Sequence, residues 1–267
     1  MICSLYKEET VTLNITETGL YNRLTQMLEA DDVIILCGGD GTVNRFVNDT
    51  EHLDIKNDIL YYPMGTGNDF LRDIEKTDCK APIPIKEYIK DLPTVEVNGK
   101  SYRFLNNVGF GIDGYCCEVG DELKRTSTKR VNYTAIAIKG LLFHYKPTTA
   151  TIVVDGKEYK YKKVWIAPTM KGRFYGGGMM ATPNQDRRGT ELSVMLFAGK
   201  GRLKTLLAFP SIFKGEHIKH TDMITIHTGH EISVTFDRPA PLQIDGETIL
   251  GVTSYKASAK VLAKQKI

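Results

Sequence analysis

Two short apolar runs, VIILC at 33–37 and DILYYP at 58–63, each stop abruptly at a polar, glycine-rich segment. The first is followed by Gly38-Gly39-Asp40-Gly41-Thr42 and the second by Gly65-Thr66-Gly67-Asn68-Asp69. Neither run alternates apolar with polar residues. That pattern suits strands of a parallel sheet covered on both faces. A helix-like stretch follows each loop, TVNRFVNDT and then the segment after Asp69, and TETGLYNRLTQML precedes the first. Leu20, Leu24 and Leu28 lie at helical spacing there, with Thr16 or Thr18 placed to cap the helix. VTLNI, at 11–15, reads as a further strand. Alternating strands and helices are the grammar of an α/β unit.

Glycines at the carboxyl end of a parallel strand let backbone N–H groups approach an anion, and the next helix adds the positive end of its dipole. Asp40 is poor company for phosphate unless a cation lies between. A nucleotide phosphate with Mg²⁺ reconciles the carboxylate with the loops. The plainer reading of GGDGT alone is a tight strand-to-helix turn with Asp40 as N-cap. A second loop of the same design on the next strand makes a ligand crevice the better reading.

The grammar changes near residue 93. TVEVNGKSYRF, TIVVDGKEYKY and LQIDGETI each hold an Asn-Gly or Asp-Gly pair between β-rich runs, the strongest short hairpin signal. KVWIAPT, ELSVMLFAG, MITIHTG and HEISVTF continue the strands. VNYTAIAIKGLLFHY reads as a helix, and GRLKTLLAFPSIFKG as one broken or kinked at Pro210. The expected organisation is an α/β unit over 1–92 and a β-rich unit over 93–267, whose last strand could return to the first unit.

Composition narrows the function. A net charge of +3 over 267 residues is too small to imply a nucleic-acid partner. Five cysteines without CxxC spacing argue against a disulfide framework or a zinc site, and the six histidines are scattered. The N-terminus shows no signal-peptide pattern, and no apolar run approaches the roughly 20 residues of a membrane span. The expected location is the cytoplasm, peripheral at the inner membrane face. The charge is unevenly placed. Residues 121–146 carry Lys124, Arg125, Lys129, Arg130, Lys139 and Lys146 against Asp121 and Glu122. Residues 200–220 carry five basic residues against Glu216. Leu, Phe and Tyr lie between the charges, a mixture suited either to a solvated helix face or to an anionic lipid surface.

Two motifs are decoys. Gly109 to Gly114 spells GxGxxG, but no acidic residue follows about 20 positions on, so a dinucleotide site is not expected and a strand end packed beside the cleft is. Gly176-Gly177-Gly178 reads equally as a ligand loop or a flexible one.

GGDGT followed about two dozen residues later by GTGNDF resembles the diacylglycerol kinase catalytic domain family, related to sphingosine and ceramide kinases. FLNNVGFGIDG at 104–114, KGRFYGGGMMATPNQDRRG at 171–189 and LQIDGETI at 242–249 extend the resemblance along most of the chain in order. It implies an α/β nucleotide domain, a C-terminal β-sandwich and an active site in the cleft between them. The implied activity is ATP- and Mg²⁺-dependent phosphorylation of a lipid hydroxyl at a membrane surface, with diacylglycerol the first acceptor to expect. Another lipid kinase, an NAD kinase or a catalytically impaired binding homologue are the alternatives, and a homodimer is compatible. Carried onto this chain, Gly38, Gly39, Asp40, Gly41 and Thr42 line the ATP phosphates and Mg²⁺. Gly65, Thr66, Asn68 and Asp69 border the same cleft. Asp245 and Glu247 form the catalytic pair, with Asp245 as base and Asp40 as its rival. The family usually opens with a strand and an Asn-Pro-x-x-Gly loop; the 37 residues before Gly38 hold no such motif, so a first strand-helix unit is expected to be absent. Asp186 is the remaining carboxylate for a structural metal, although Arg188 stands before Gly189 where the family has Asp.

Overall fold

The computed structural model describes residues 10–65, 68–126 and 131–259; Thr66, Lys129 and Arg130 lie outside the described residues. The chain begins with α1 (Leu20–Met27), β1 (Val33–Gly38), α2 (Asp40–Asp49), β2 (Asp58–Pro63), α3 (Asp69–Asp73), β3 (Ile83–Pro84) and α4 (Lys86–Ile89). β1 and β2 pair in parallel from Val33 opposite Asp58 to Gly38 opposite Pro63, so both glycine loops leave the sheet side by side. β3 adds antiparallel to β2. Ile34, Leu36, Val43, Phe46, Tyr61, Phe70 and Ile85 form the core between this sheet and its helices.

Two local expectations need correction. Residues 11–15 form no strand, and Val11 is exposed. α1 is entered through Gly19 in the left-handed region (φ 75°) without a side-chain cap. Thr16 bonds the Asn14 side chain instead.

The second unit opens with β4 (Thr94–Val97), β5 (Lys100–Arg103), β6 (Asn107–Gly111) and α5 (Ile112–Thr126). α6 (Tyr133–Lys139) then runs into a π-helical turn (Gly140–His144). β7 (Thr148–Val154), β8 (Lys157–Val164), β9 (Ile166–Met170), the short pair β10 (Phe174–Tyr175) and β11 (Met179–Met180), and β12 (Leu192–Phe197) follow. α7 (Arg202–Ala208) stops short of Pro210, and 3-10 turns at Phe209–Lys214 and Glu216–Lys219 replace the continuous helix, as a proline there demands. β13 (Ile224–Gly229), β14 (Glu231–Ile244) and β15 (Glu247–Ser258) complete it.

Apart from the separate β10-β11 pair, these strands form one sheet ordered β13-β12-β9-β6-β14-β15-β4-β5, with β7 and β8 branching from β14. β14 is shared. Its residues 232–236 pair with β7 and its residues 242–244 with β6. The register with β15 shifts between Thr235 and Leu242, where Pro239 and Pro241 interrupt the ladder. The bend folds the sheet over a sandwich core that includes Val95, Phe104, Phe110, Ile152, Leu196, Val234 and Leu242. The last strand stays in this sheet, paired with β14 and β4.

All three Asn-Gly or Asp-Gly hairpins form. Both turn residues have positive φ in each: 51° and 74° at Asn98-Gly99, 47° and 83° at Asp155-Gly156, 48° and 94° at Asp245-Gly246. That is the type I′ signature. The third turn carries Asp245 back toward the first unit.

Candidate active site

The two glycine loops are stitched together at the ends of β1 and β2. The Gly38 carbonyl accepts from the N–H groups of Met64 (2.8 Å) and Gly65 (3.1 Å) and from the Tyr61 hydroxyl (2.9 Å). Asn68 returns a bond to the Gly65 carbonyl at 3.2 Å. The loops approach so closely that a Cβ on Gly65 would lie 2.6 Å from the Gly39 Cα. Glycine at 65 is therefore a packing requirement between the two loops.

Asp40 stands at the start of α2, and its side chain crosses to α3. Oδ2 accepts from the N–H groups of Asp69 (2.9 Å) and Phe70 (3.2 Å) and from Asn106 Nδ2 (3.1 Å). The carboxylate thus sits on the free amides of a helix N-terminus, where negative charge is stabilised. Oδ1 is buried and has no partner among the described residues. Burial, with Asp69 and Asp245 as neighbouring charges, pushes the Asp40 carboxyl up to about 7 despite those donors. Asp69 is also raised by burial, against the Gly177 N–H that its Oδ2 accepts at 2.7 Å. The three consecutive glycines at 176–178 are thereby a fitted loop against α3.

Asp245 projects from its hairpin into a nest of donors. Asn106 N (2.7 Å) and Asn107 N (2.9 Å) donate to Oδ1. Asn44 Nδ2 (2.7 Å) and Leu105 N donate to Oδ2. Burial raises its carboxyl, opposed by these bonds. Both oxygens are occupied by fixed donors, so the acceptor left open in this cluster is Asp40 Oδ1. Glu247, two residues on, is exposed. Gln243 braces the same turn by accepting from Gly246 N at 2.9 Å.

Residues not singled out from sequence join these groups. Asn106 bonds Asp40 through Nδ2, Asp245 through its backbone N–H, and through Oδ1 accepts from Arg187 Nη2 at 2.6 Å. Arg187 is buried. It donates to the Leu105 carbonyl at 2.7 Å, pairs with Asp73 of α3 and lies over the Phe70 ring. Arg173 adds a second pair to Asp73 at 2.8 Å. Asn44, Asp73, Asn106, Arg173 and Arg187 carry no catalytic motif of their own. The signal for Asn106, Arg173 and Arg187 is that they lie in FLNN, KGRF and PNQDRRG, segments within the motif order that resembles the family; Asn44 and Asp73 have none.

The two metal candidates differ. Among the described residues no group of three or more His, Cys, Asp or Glu side chains could hold a metal ion. Beside Asp186 the described hydrogen-bond neighbours are donors. Its Oδ1 accepts from Arg188 N at 2.9 Å, and the buried Lys171 ammonium bonds the Gly189 carbonyl of the same loop at 2.7 Å. At Asp40 the surroundings suit a cation: burial and the neighbouring Asp69 carboxylate raise it, and its Oδ1 has no partner among the described residues. Nucleotide phosphate oxygens would have to supply the remaining ligands.

Residues 2–94 match the diacylglycerol kinase catalytic domain, and residues 106–261 match the YegS C-terminal NAD kinase beta sandwich-like domain. The chain belongs to the diacylglycerol kinase family. Among its relatives are proteins named diacylglycerol kinase from Mycobacterium tuberculosis, 28% identical over 73% of this chain, and from Bacillus subtilis, 27% identical over 81%. This family member spans 64% and 71% of their respective lengths. A crystal structure of a diacylglycerol kinase from Bacillus anthracis shares its fold, with a TM-score of 0.58 at 20% identity, covering 92% of this chain and 80% of that one.

Proposed function

We propose that this chain is an ATP-dependent lipid kinase that transfers the γ-phosphoryl group to a lipid hydroxyl, with diacylglycerol as acceptor and phosphatidic acid as product. The observation that carries the reading is the open, buried Oδ1 of Asp40 at the junction of two glycine loops, beside a second carboxylate. Asp40 has one open oxygen and so serves one of the two roles that its motif offers. A carboxyl near 7 suits a proton acceptor working at neutral pH. Asp69 would then be the carboxylate that holds Mg²⁺, whose charge would offset that of the phosphates. The acceptor oxygen bonds to the γ-phosphorus as the bond to the ADP oxygen breaks, and the hydroxyl proton passes to Asp40. The amides of the loop beyond β1 would hold the nucleotide phosphates. Asp245, saturated by donors, is a positioning residue that ties the hairpin to residues 105–107.

The test is transfer of label from [γ-³²P]ATP with Mg²⁺ to a panel of diacylglycerol, monoacylglycerol, sphingosine, ceramide and NAD. Labelled phosphatidic acid is expected. Label in NAD alone, or in none of the lipids while ATP still binds, would overturn the reading.

A further inference from the structure

The basic, apolar stretches at 121–146 and 200–220 are far apart in sequence, but the fold joins their ends. Arg202 at the start of α7 donates to the carbonyls of Leu142 and Tyr145, which fastens the π-helical turn to α7. Beneath them, Leu141, Trp165, Phe197 and Phe209 are buried in a shared core. Above them the side chains point the other way. Phe143 is 71% exposed, Leu203 69% and Leu207 74%. Ile138 and Leu142 are exposed on the preceding turns. Leu203 and Leu207 are one helical turn apart, so they form a stripe. Isolated exposed apolar residues are ordinary, but five on adjoining helical turns constitute a patch.

Around this patch the charges left without an ion-pair partner among the described residues are positive. Lys200, Lys219 and Lys124 are paired with Asp222, Glu216 and Asp121. Lys139, Lys204 and Lys214 are exposed and have no ion-pair partner among the described residues. Lys139 follows Ile138, and Lys204 lies between Leu203 and Leu207. The cations therefore border the apolar stripe closely enough for one flat surface to engage both. No described helix is long and apolar enough to cross a membrane. The layer also reaches the candidate site: α5 packs on β14 and β15, and Thr248 beside the Asp245 hairpin bonds Asp121 of α5 at 2.9 Å.

We propose that the face formed by α6, the π-helical turn and α7 seats on an anionic bilayer, its leucines and Phe143 entering the acyl boundary and its lysines meeting the headgroup charge. This rests on the lipid-kinase reading above, because an acceptor in a bilayer must be met at its surface.

The test is sedimentation with vesicles of phosphatidylcholine, with and without phosphatidylglycerol, in the absence of nucleotide. The wild-type chain should bind the anionic vesicles, and less so as salt rises. Phe143→Ser with Leu207→Ser should weaken partitioning about tenfold. Each of Lys139→Gln and Lys204→Gln should weaken it about fivefold, the change expected for about 1 kcal/mol per basic residue near the membrane. These side chains are exposed, so circular dichroism and turnover on a short-chain, water-dispersed acceptor should not change. Unchanged partitioning of the apolar double variant, or wild type that ignores anionic vesicles, would overturn the proposal. So would a dimer that this double variant disrupts in a protein without affinity for vesicles. Loss of partitioning in the variants of a protein that phosphorylates no lipid would keep the docking face and remove only the catalytic reading.

Discussion

Asp245 and Asp40 differ in what surrounds their oxygens, and the difference is measurable. Asp245→Asn replaces an acceptor oxygen with an N–H₂ group among four donors. Buried donors left without an acceptor cost about 1–3 kcal/mol, so its melting temperature should fall clearly. If Asp245 were only a proton acceptor, the variant would melt like wild type and lose turnover alone. For Asp40 the pH dependence is informative. Its folded-state carboxyl, near 7, lies above its unfolded value, so its contribution to stability is complete below about pH 4 and is lost as pH rises through about 7. Urea unfolding without Mg²⁺ should show that decline between pH 4 and 7, and Asp40→Asn should flatten it. An identical slope in the variant would contradict the burial of an ionisable Asp40. At this scale the sequence pointed to Asp40, Asp69 and Asp245, the latter two close enough to raise Asp40, but not to the donors around them. Motif order places Asp40, Asp69 and Asp245 together, whereas the donors that saturate Asp245 come from a backbone segment about 140 residues away.

Glycine reads in opposite ways in different elements. The three hairpins were legible because Asn-Gly and Asp-Gly meet a backbone demand that few other pairs meet. α5 was not: residues 109–114 read as a strand end, and Gly114 and Gly120 have low helix propensity. Both are contact points instead: a Cβ on Gly114 would lie 2.0 Å from the Pro241 carbonyl oxygen, and one on Gly120 2.5 Å from the Tyr133 ring. Tertiary packing overrides helix propensity there. GxGxxG at 109–114 has the same explanation, since Gly109 and Gly111 lie against the backbone of Pro168 and Trp165. VTLNI failed as a strand because β propensity without a partner strand carries little weight. A paired substitution tests the loop reading. Gly41 lies in α2 with nothing near its missing Cβ, so Gly41→Ala should leave stability unchanged or raise it by up to about 1 kcal/mol. Gly65→Ala forces two loop backbones apart and should cost about 1–3 kcal/mol, with nucleotide affinity falling alongside. Equal melting temperatures for the two variants would contradict the close approach.

Across the whole molecule, the two units share one buried polar network. Asp73 of α3 is held by Arg173 and Arg187 from the second unit, while Arg187 and Asn106 connect it to Asp40. Asn48 and Arg103 exchange further bonds across the same boundary. Such contacts link residues 55 to 114 positions apart and have no local pattern, so the change of grammar near residue 93 was visible and the joint was not. Removing one member of a buried pair costs about 3–5 kcal/mol. Arg187→Met should therefore lower the urea midpoint of the whole chain, followed by tryptophan fluorescence and circular dichroism together. An unchanged midpoint would mean the network does not couple the units. The central claim is that the open Asp40 oxygen in this joint serves phosphoryl transfer to a lipid. Its most direct test is the rate of label transfer from ATP to diacylglycerol by wild type and Asp40→Asn, both folded and both with Mg²⁺. The expected result is a rate lower by roughly 10²–10⁴ in Asp40→Asn; transfer by Asp40→Asn at the wild-type rate would contradict the account.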